Sequence, residues 1–319
     1  MNTAILSVVA GLVLLILASD RLVVAAVRLS ETLGVSAVLV GALVVGLGTS
    51  LPELLVSGLL ARDGKLDEAV TNVISSNTAN VTLVLGLAAL VATIHSSRRI
   101  LYREGILMIA SVVAFAAVLL DKKVEVWEGA ALLVGLVVAI YALIVWSLHG
   151  PDVADNAPGV GAHSPRGKEP FADLPTTRHE MVAGVIAIVV TVGAARLLLS
   201  GAETIATELG ASATLIGAML GVGTSLPEMA TAVSAARRKQ VDLIIGNVLG
   251  SNIFNSLAVG GVAALIGPGL LVEVDTPLLV VMVVTAVIAG VLARTGGKIV
   301  RLEGVALIAV FGGFAALVL

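Results

Sequence analysis

Long apolar runs alternate with short charged segments along most of the chain, and this pattern predicts membrane-spanning helices. Each run is close to the roughly 20 residues that an α-helix needs to cross the hydrocarbon core of a bilayer. A segment in lipid must satisfy its own backbone hydrogen bonds, which a helix does. Ten helices are predicted, near residues 4–27, 36–61, 69–94, 105–120, 129–148, 181–206, 212–236, 243–267, 276–293 and 304–319. The predicted fold class is an all-α polytopic membrane protein.

One long polar segment, residues 149–180, divides the ten helices into two sets of five. It contains five of the nine prolines and three of the four histidines, in a spacing that fits no metal-ligand pattern. Such a composition is typical of a flexible linker. We therefore predict an N-terminal five-helix half at 1–148, a linker at 149–180 and a C-terminal five-helix half at 181–319.

The composition narrows the class of function. Of the 319 residues, 58% are hydrophobic and 13% are charged, whereas soluble domains have about 25% charged residues. The net charge of -3 provides no basic surface for nucleic acid. The absence of cysteine excludes disulfides and thiolate metal sites. We therefore expect the protein to lie in the lipid bilayer and to bind no nucleic acid.

The distribution of basic residues predicts the orientation. If the N-terminus is outside, fourteen of the 19 Lys and Arg residues fall in inside loops. By the positive-inside rule, both termini then lie outside and the 149–180 linker is cytoplasmic. The predicted location is the plasma (inner) membrane.

An internal repeat relates the two halves. The segment Gly46-Leu-Gly-Thr-Ser-Leu-Pro-Glu53 recurs 175 residues later as Gly221-Val-Gly-Thr-Ser-Leu-Pro-Glu228. The segment at 72–77 recurs at 247–252 with the same offset, while the upstream segment at 33–37 recurs at 209–213 with an offset of 176. A unit of five helices is odd, so two units in series insert with opposite orientations. This inverted-topology repeat is usual in secondary transporters, whose substrate sites lie near the membrane midplane.

The first repeated block combines a helix break with a carboxylate. Pro52 cannot donate to the carbonyl of Gly48, so we expect a kink that leaves carbonyl oxygens without partners. Thr49 and Glu53 are four residues apart and share one helix face. Pro227, Thr224 and Glu228 repeat this arrangement in the second half. An intramembrane carboxylate is costly, and two at related positions indicate a functional site.

The second repeated block forms a polar stripe on an apolar helix. Asn72, Ser76 and Asn80 are four residues apart in turn, so they share one face. The same spacing recurs at Asn247, Ser251 and Asn255. The stripe faces protein or a water-filled cavity. Hydrogen bonds between helices are an alternative explanation, above all for Asn72 and Asn247.

The two blocks together offer hard oxygen ligands, without histidine or cysteine. Such a set suits Ca²⁺ or Na⁺ better than zinc or copper. Two carboxylates neutralise one divalent ion or two monovalent ions, so the two kinds of ion would exclude each other. Mutual exclusion is the physical basis of exchange. We expect transported ions and no cofactor, and one chain can suffice for the site.

These motifs resemble the two alpha-repeats of the sodium/calcium exchanger branch of the cation/Ca²⁺ exchanger superfamily. The resemblance covers nearly the whole chain except the linker and places the alpha-repeats at about 41–90 and 217–265. It implies a Ca²⁺ site made by Glu53, Glu228, Thr49 and Thr224, the threonines through backbone oxygen. It implies Na⁺ sites that use Ser50, Ser76, Ser225, Ser251 and the carbonyls of Gly46 and Gly221, with Asn80 and Asn255 bordering the centre. It also implies alternating access, with the first and sixth helices moving across the other helices.

The chain departs from the family pattern at three positions. Thr71 and Ser75 stand where the family usually has glycine, which adds bulk near one Na⁺ site. Asn255 stands where some relatives, including some K⁺-dependent exchangers, carry aspartate. Asn255 therefore weighs against K⁺ dependence and removes one proton-binding carboxylate.

Four other functions are compatible with parts of the pattern. The nearest is a proton-coupled Ca²⁺ antiporter, in which Glu53 and Glu228 carry protons. A Mg²⁺ transporter is disfavoured because Mg²⁺ loses its water reluctantly. An intramembrane hydrolase would need a His or Asp partner at the polar stripes, and a scaffold would not need two buried carboxylates. We therefore predict a transporter and not an enzyme.

Overall fold

The computed structural model describes residues 2–148, 177–210, 222–272, 274 and 276–318. We number its helices in chain order: α1 Asn2–Leu33, α2 Ala37–Thr49, α3 Leu51–Arg62, α4 Leu66–Val91, α5 Arg98–Val118, α6 Val126–Leu148, α7 Thr177–Glu208, α8 Leu226–Arg237, α9 Val241–Ile266, α10 Thr276–Gly296 and α11 Arg301–Val318. The strands are β1 Ile94–His95, β2 Lys123–Val124, β3 Gly269–Leu270 and β4 Lys298–Ile299.

The described helices confirm an integral, all-helical membrane fold. Seven of them, α1, α4, α5, α6, α7, α9 and α10, are long and apolar enough to cross a membrane, and the bent pair α2 and α3 could be an eighth span. This is a smaller number than the ten spans predicted. The outward faces are apolar, as at Val134, Val137 and Tyr141 of α6, which are each more than 60% exposed.

Several predicted boundaries differ from the structure. The linker was predicted to extend to residue 180, which is wrong, because helix α7 begins at Thr177. Glu180 is buried in this first turn and paired with two arginines, so tertiary contacts extend the helix into the polar sequence. The rest of the predicted linker, 149–176, lies outside the described residues. So do residues 211–221, which include the start of the predicted helix 212–236 and Gly221.

Short π-helical turns interrupt four stretches of helix among the described residues, and the sequence analysis did not predict them. They lie at Gly41–Gly46, Asn80–Val84, Leu101–Gly105 and Asn255–Val259. Two of them begin at Asn80 and Asn255, which are equivalent in the repeat. π-Turns are rare and frequently occur at functional sites because they displace a side chain from its regular helical direction.

In the part of the chain that the structure describes, two small strand pairs join the two halves. Strand β1 pairs antiparallel with β4, through Ile94 and Ile299, and β2 pairs with β3, through Val124 and Gly269. Adding the repeat offset of 175 to Ile94 and Val124 gives Gly269 and Ile299. The two strand pairs are therefore equivalent under the same relation that connects the repeated sequence blocks.

Helices α2 and α9 pack backbone to backbone through glycine. A Cβ placed on Gly250 would lie 2.4 Å from the Cα and carbonyl oxygen of Ala42, and one on Gly246 would lie 2.3 Å from the carbonyl oxygen of Val38. Only glycine permits this approach. The equivalent residues of the first half are Thr71 and Ser75, which carry side chains where α9 has glycine.

Helices α1 and α7 form a second closely packed pair. A Cβ on Gly11 would lie 2.6 Å from the backbone nitrogen of Leu198, and one on Gly201 would lie 2.7 Å from the carbonyl oxygen of Ala4. The buried Glu180 of α7 accepts hydrogen bonds from Arg21 at 2.9 Å and Arg28 at 2.7 Å, both on α1. Contacts along the whole length therefore join α1 and α7 into one unit.

We predict that Gly250→Ala destabilises the protein, because the added methyl group would overlap the backbone of α2. Overpacking of this kind costs about 1–3 kcal/mol. Gly58→Ala is the matched control, since the nearest atom to its Cβ is 3.9 Å away. Thermal unfolding in detergent should show a lower midpoint for Gly250→Ala only. Equal midpoints for the two variants would contradict the close α2–α9 contact.

Candidate cation-binding site

Each repeated block places its glutamate at the start of a helix. Ser50 and Ser225 precede α3 and α8 with nearly identical backbone angles, φ -86° and ψ 8° at Ser50 and φ -87° and ψ 8° at Ser225. Proline follows in the first turn of each helix, where its missing N–H costs no hydrogen bond. Glu53 and Glu228 lie in the same first turns. The exposed N–H groups of a helix start favour a negative charge there.

The predicted break at Pro52 is a bend of 44° between α2 and α3. The carbonyl of Gly46 is not free, however: it accepts hydrogen bonds from the backbone nitrogen of Ser50 at 3.1 Å and from the hydroxyl of Ser251 at 3.3 Å. The helix is therefore bent at this point but not unwound. The carbonyl of Gly46 faces Ser251 in the second half of the chain.

The two blocks meet in the protein interior. Glu53 and Glu228 are each 1% exposed. Ser50 donates to Glu228 Oε1 at 3.0 Å. Ser251 of the second half donates to the carbonyl oxygen of Gly46 in the first half. Residues of both halves thus form one site.

Unpartnered polar atoms are concentrated around these glutamates and on the helices beside them. Of eighteen buried side-chain atoms that lack a hydrogen-bond partner within the described residues, thirteen belong to the repeated blocks. They include both carboxylate oxygens of Glu53, Oε2 of Glu228 and the hydroxyls of Ser76 and Ser225. Buried polar atoms normally have partners, so this set is matched to a ligand. Carboxylate, hydroxyl and amide oxygens are the donors that Ca²⁺ and Na⁺ use.

Asn80 and Asn255 are fully buried at the first residues of two π-turns. Neither side-chain amide has a partner among the described residues. The hydrogen-bond alternative therefore does not account for these two residues. The sequence placed them correctly in the polar stripe but gave no sign of the π-turns that displace them.

Asn72 behaves as the hydrogen-bond alternative predicts. Its side chain on α4 donates to the hydroxyl of Ser57 on α3 at 2.9 Å, and Ser57 donates to the carbonyl of Ala69 at 3.1 Å. The repeat-related Asn247 is buried with no partner for its amide among the described residues.

The two threonines of the first repeated block differ in their exposure. Thr49 is buried and donates to the carbonyl oxygen of Val45, while Thr224 is partly exposed.

Three buried residues in or beside the second block, Asn77, Asn252 and Ser256, were not assigned from the sequence. Asn77 donates to the hydroxyl of Ser256 at 2.9 Å, and Asn252 donates to the carbonyl of Val248 at 2.7 Å. The carbonyl oxygens of both amides are unpartnered in the described part of the chain. The offset of 175 between Asn77 and Asn252 was a signal that could have identified both residues.

The donor set favours a hard cation over a transition metal. Within the described ranges, no three His, Cys, Asp or Glu side chains are grouped so as to hold a metal ion. With both carboxylates ionised, the site would carry a charge of -2 among neutral oxygens. This charge balances one divalent or two monovalent cations.

Comparison with known proteins gives consistent results. Residues 3–145 and 179–319 match the sequence family described as "Sodium/calcium exchanger protein". Inner membrane protein YrbG of Escherichia coli is 36% identical over 279 residues, covering 86% of this chain and 81% of YrbG. Sodium/calcium exchanger MaX1 of Methanosarcina acetivorans is 30% identical over 337 residues, covering 95% of each chain. A structure of the sodium-calcium exchanger NCX_Mj soaked with Na⁺ and Sr²⁺ superposes with a TM-score of 0.83 at 26% identity, covering 98% of both chains.

We predict that Glu53→Gln raises the thermal unfolding midpoint in cation-free detergent solution at mildly alkaline pH. The substitution removes the repulsion between two buried like charges and the cost of burying one of them. Glu128→Gln is the matched control, because Glu128 is buried but accepts a hydrogen bond from the backbone of Glu125 at 2.8 Å. An unchanged or lower midpoint for Glu53→Gln would contradict the view that the two carboxylates repel each other as ions.

Proposed function

This chain belongs to the sodium/calcium exchanger protein family, and from that premise we propose that it is a secondary active antiporter that exchanges Ca²⁺ for Na⁺ across the plasma membrane. The observation that carries the proposal is that the two repeated blocks, with the buried Glu53 and Glu228, meet in one site, where Ser50 of the first block donates to Glu228 of the second. The solved NCX_Mj structure was soaked with Na⁺ and Sr²⁺, which supports the same two classes of ion here.

Glu53 and Glu228 hold the Ca²⁺ in this proposal, with backbone oxygens of Thr49 and Thr224. Na⁺ binds beside them at sites that include Ser50, Ser76, Ser225 and Ser251 and the carbonyls of Gly46 and Gly221. Asn80 and Asn255 border the centre. The free oxygens of Ser76 and Ser225 support this assignment, because each is buried without another partner in the described residues.

The exchange follows from charge balance. Na⁺ ions that occupy both glutamates neutralise the charge that Ca²⁺ needs, so the two ions bind alternately. An empty site would leave two repelling carboxylates in the interior, which disfavours movement of the empty protein. Coupling therefore depends on the cost of the uncompensated charge.

The proposed architecture has ten spans in two inverted five-helix halves, 1–148 and 177–319, with alpha-repeats at about 41–90 and 217–265. The equivalent strand pairs and the equivalent starts of α3 and α8 support this arrangement. The segment between the halves is cytoplasmic and both termini are outside, as the basic residues indicate. In alternating access, the joined helices α1 and α7 move across α2, α3, α4, α8 and α9.

Proton coupling is the second candidate. Both carboxylate oxygens of Glu53 lack hydrogen-bond donors within the described residues, and a carboxyl group in that setting could exchange a proton in place of Na⁺. The four serine hydroxyls favour Na⁺, because they add neutral oxygens that a proton does not require.

The test is Ca²⁺ uptake by purified protein in liposomes loaded with Na⁺ and diluted into Na⁺-free buffer. We expect uptake that depends on the outward Na⁺ gradient. A parallel arm imposes a proton gradient with no Na⁺ present. Uptake in the proton arm alone would contradict Na⁺ coupling and favour the second candidate.

Glu53→Gln and Glu228→Gln should each abolish Ca²⁺ uptake, because each removes half of the charge that balances the ion. Both variants should remain folded, as judged by size-exclusion chromatography. Glu104→Gln is the control, since Glu104 is a partly buried carboxylate in the π-turn Leu101–Gly105 of α5 and away from the repeated blocks. Normal uptake by either site variant would refute the assignment of the glutamates.

A further inference from the structure

Helix α1 is tied to the end of α8 by a group of charged and polar side chains outside the cation site. Arg238 directly follows α8, and its guanidinium binds Asp20 of α1 through two nitrogens, Nε to Oδ1 at 2.6 Å and Nη2 to Oδ2. Ser234 of α8 donates to the same Asp20 Oδ1 at 3.0 Å. A bidentate Arg–carboxylate contact is directional as well as attractive, so it fixes the position of α1 along α8.

The repeat predicts an equivalent pair with the charges exchanged. Arg238 lies ten residues after Glu228, and Asp63 lies ten residues after Glu53. Both residues directly follow their helices with similar backbone angles, φ -87° and ψ 3° at Arg238 and φ -85° and ψ 11° at Asp63. Upstream of the repeated blocks the offset is 176, which makes Arg196 of α7 the equivalent of Asp20 of α1. The acidic and basic partners are thus reversed between the halves.

The second pair is not formed in this structure. Arg196 is exposed and makes no ion pair with the described residues, and Asp63 contacts only its neighbour Arg62, at 3.1 Å. The helix packing is asymmetric in the same sense: α1 packs along α8, whereas α7 makes no comparable contact with α3. The contact of α1 with α8 is therefore formed in this structure, while the equivalent contact of α7 with α3 is not.

The helices that carry Asp20 and Arg196 are joined to each other. The close contacts at Gly11 and Gly201 and the Glu180 contact with two arginines bind α1 to α7. Movement of α1 away from α8 would consequently carry α7 with it. In a transporter built from an inverted repeat, each half can adopt the conformation of the other half. This exchange gives the state that opens to the opposite side of the membrane.

We propose that Asp63 and Arg196 form an ion pair in the opposite-facing state, and that this pair and the Asp20–Arg238 pair exclude each other. This inference rests on the proposed alternating-access function. It assigns a role in the cycle to two exposed charges that do not touch each other or the cation site in this structure. Each ion pair stabilises one end state of the exchange.

The two pairs are unequal, which explains why the structure has the Asp20–Arg238 pair formed. The hydroxyl of Ser234 adds a third contact to Asp20, and its repeat equivalent is Leu59, which has no polar group. The Asp63–Arg196 pair is therefore the weaker of the two. Loss of the Asp20–Arg238 pair should shift the population toward the opposite state by about two- to fivefold, as expected for a partly exposed ion pair.

The first test is cross-linking, which needs no transport. The chain has no cysteine, so the double variant Asp63→Cys with Arg196→Cys carries the only two thiols. A protease site is engineered within residues 149–176, between the two cysteines in the sequence. After cleavage, the two fragments run separately on a non-reducing gel unless a disulfide joins them. We expect a disulfide on mild oxidation in membranes, with a yield about two- to fivefold higher when Arg238→Gln is added.

The control double variant is Asp63→Cys with Val189→Cys, because Val189 is exposed on α7 two helical turns from Arg196. It should give no disulfide. A yield for Asp63→Cys with Arg196→Cys no higher than this control would overturn the proposed contact. A yield that Arg238→Gln leaves unchanged would overturn the mutual exclusion. Either result is distinguishable from a failure of the proposed ion exchange, since cross-linking is read without an ion gradient.

The second test exchanges the charges. Arg196→Asp places two carboxylates opposite each other in the opposite-facing state, so we expect slower Ca²⁺ exchange. Adding Asp63→Arg restores opposite charges and should recover most of the rate, although the two residues are not paired in the present structure. Failure of the double variant to exceed Arg196→Asp alone would overturn the proposal, and a folded protein that still binds Ca²⁺ excludes damage to the site.

Discussion

Two carboxylates buried side by side are the constraint on which the rest of the structure depends. Glu53 and Glu228 are almost completely withdrawn from solvent, and two ionised carboxylates in such a site would repel each other. A bilayer interior cannot supply water to compensate them, so the protein surrounds them with helix starts, hydroxyls and amides. These groups are neutral, so they can stabilise ionised carboxylates but cannot balance their charge. In the proposed function a cation completes the site, and the requirement for a cation would couple the movement of one ion to that of the other.

The glycine contacts set the geometry of the site. Helix α2 can bring Gly46 to Ser251 only because Gly246 and Gly250 allow its backbone to lie directly against α9. The same principle joins α1 and α7, but there the close contacts connect two long helices outside the site. Each of these helices has 32 residues, or about 48 Å at 1.5 Å per residue, which exceeds the thickness of a bilayer core. A long, continuous pair of this kind can shift along its axis and still span the membrane.

Much of the site could be predicted from the sequence, because the repeat marked the residues twice. The glutamates, the prolines and the asparagines of the π-turns were all identified from their common offset. The contact between Ser50 and Glu228 could not be predicted, since a repeat shows which residues are equivalent but not which ones touch. The π-turns at Asn80 and Asn255 also left no sequence signal, because they depend on how neighbouring helices pack. The helical start at Thr177 was missed because the ion pairs of Glu180 lie more than 150 residues away in sequence.

The central claim is that Ca²⁺ and Na⁺ compete for one site that contains both glutamates. Isothermal titration of Ca²⁺ into the purified, cation-free protein at increasing Na⁺ concentrations tests this claim most directly. The account predicts one Ca²⁺ per chain, with an apparent dissociation constant that rises steadily with Na⁺. It also predicts no Ca²⁺ binding to Glu53→Gln or Glu228→Gln. A Ca²⁺ affinity that Na⁺ does not change, or binding that survives either substitution, would contradict the shared site.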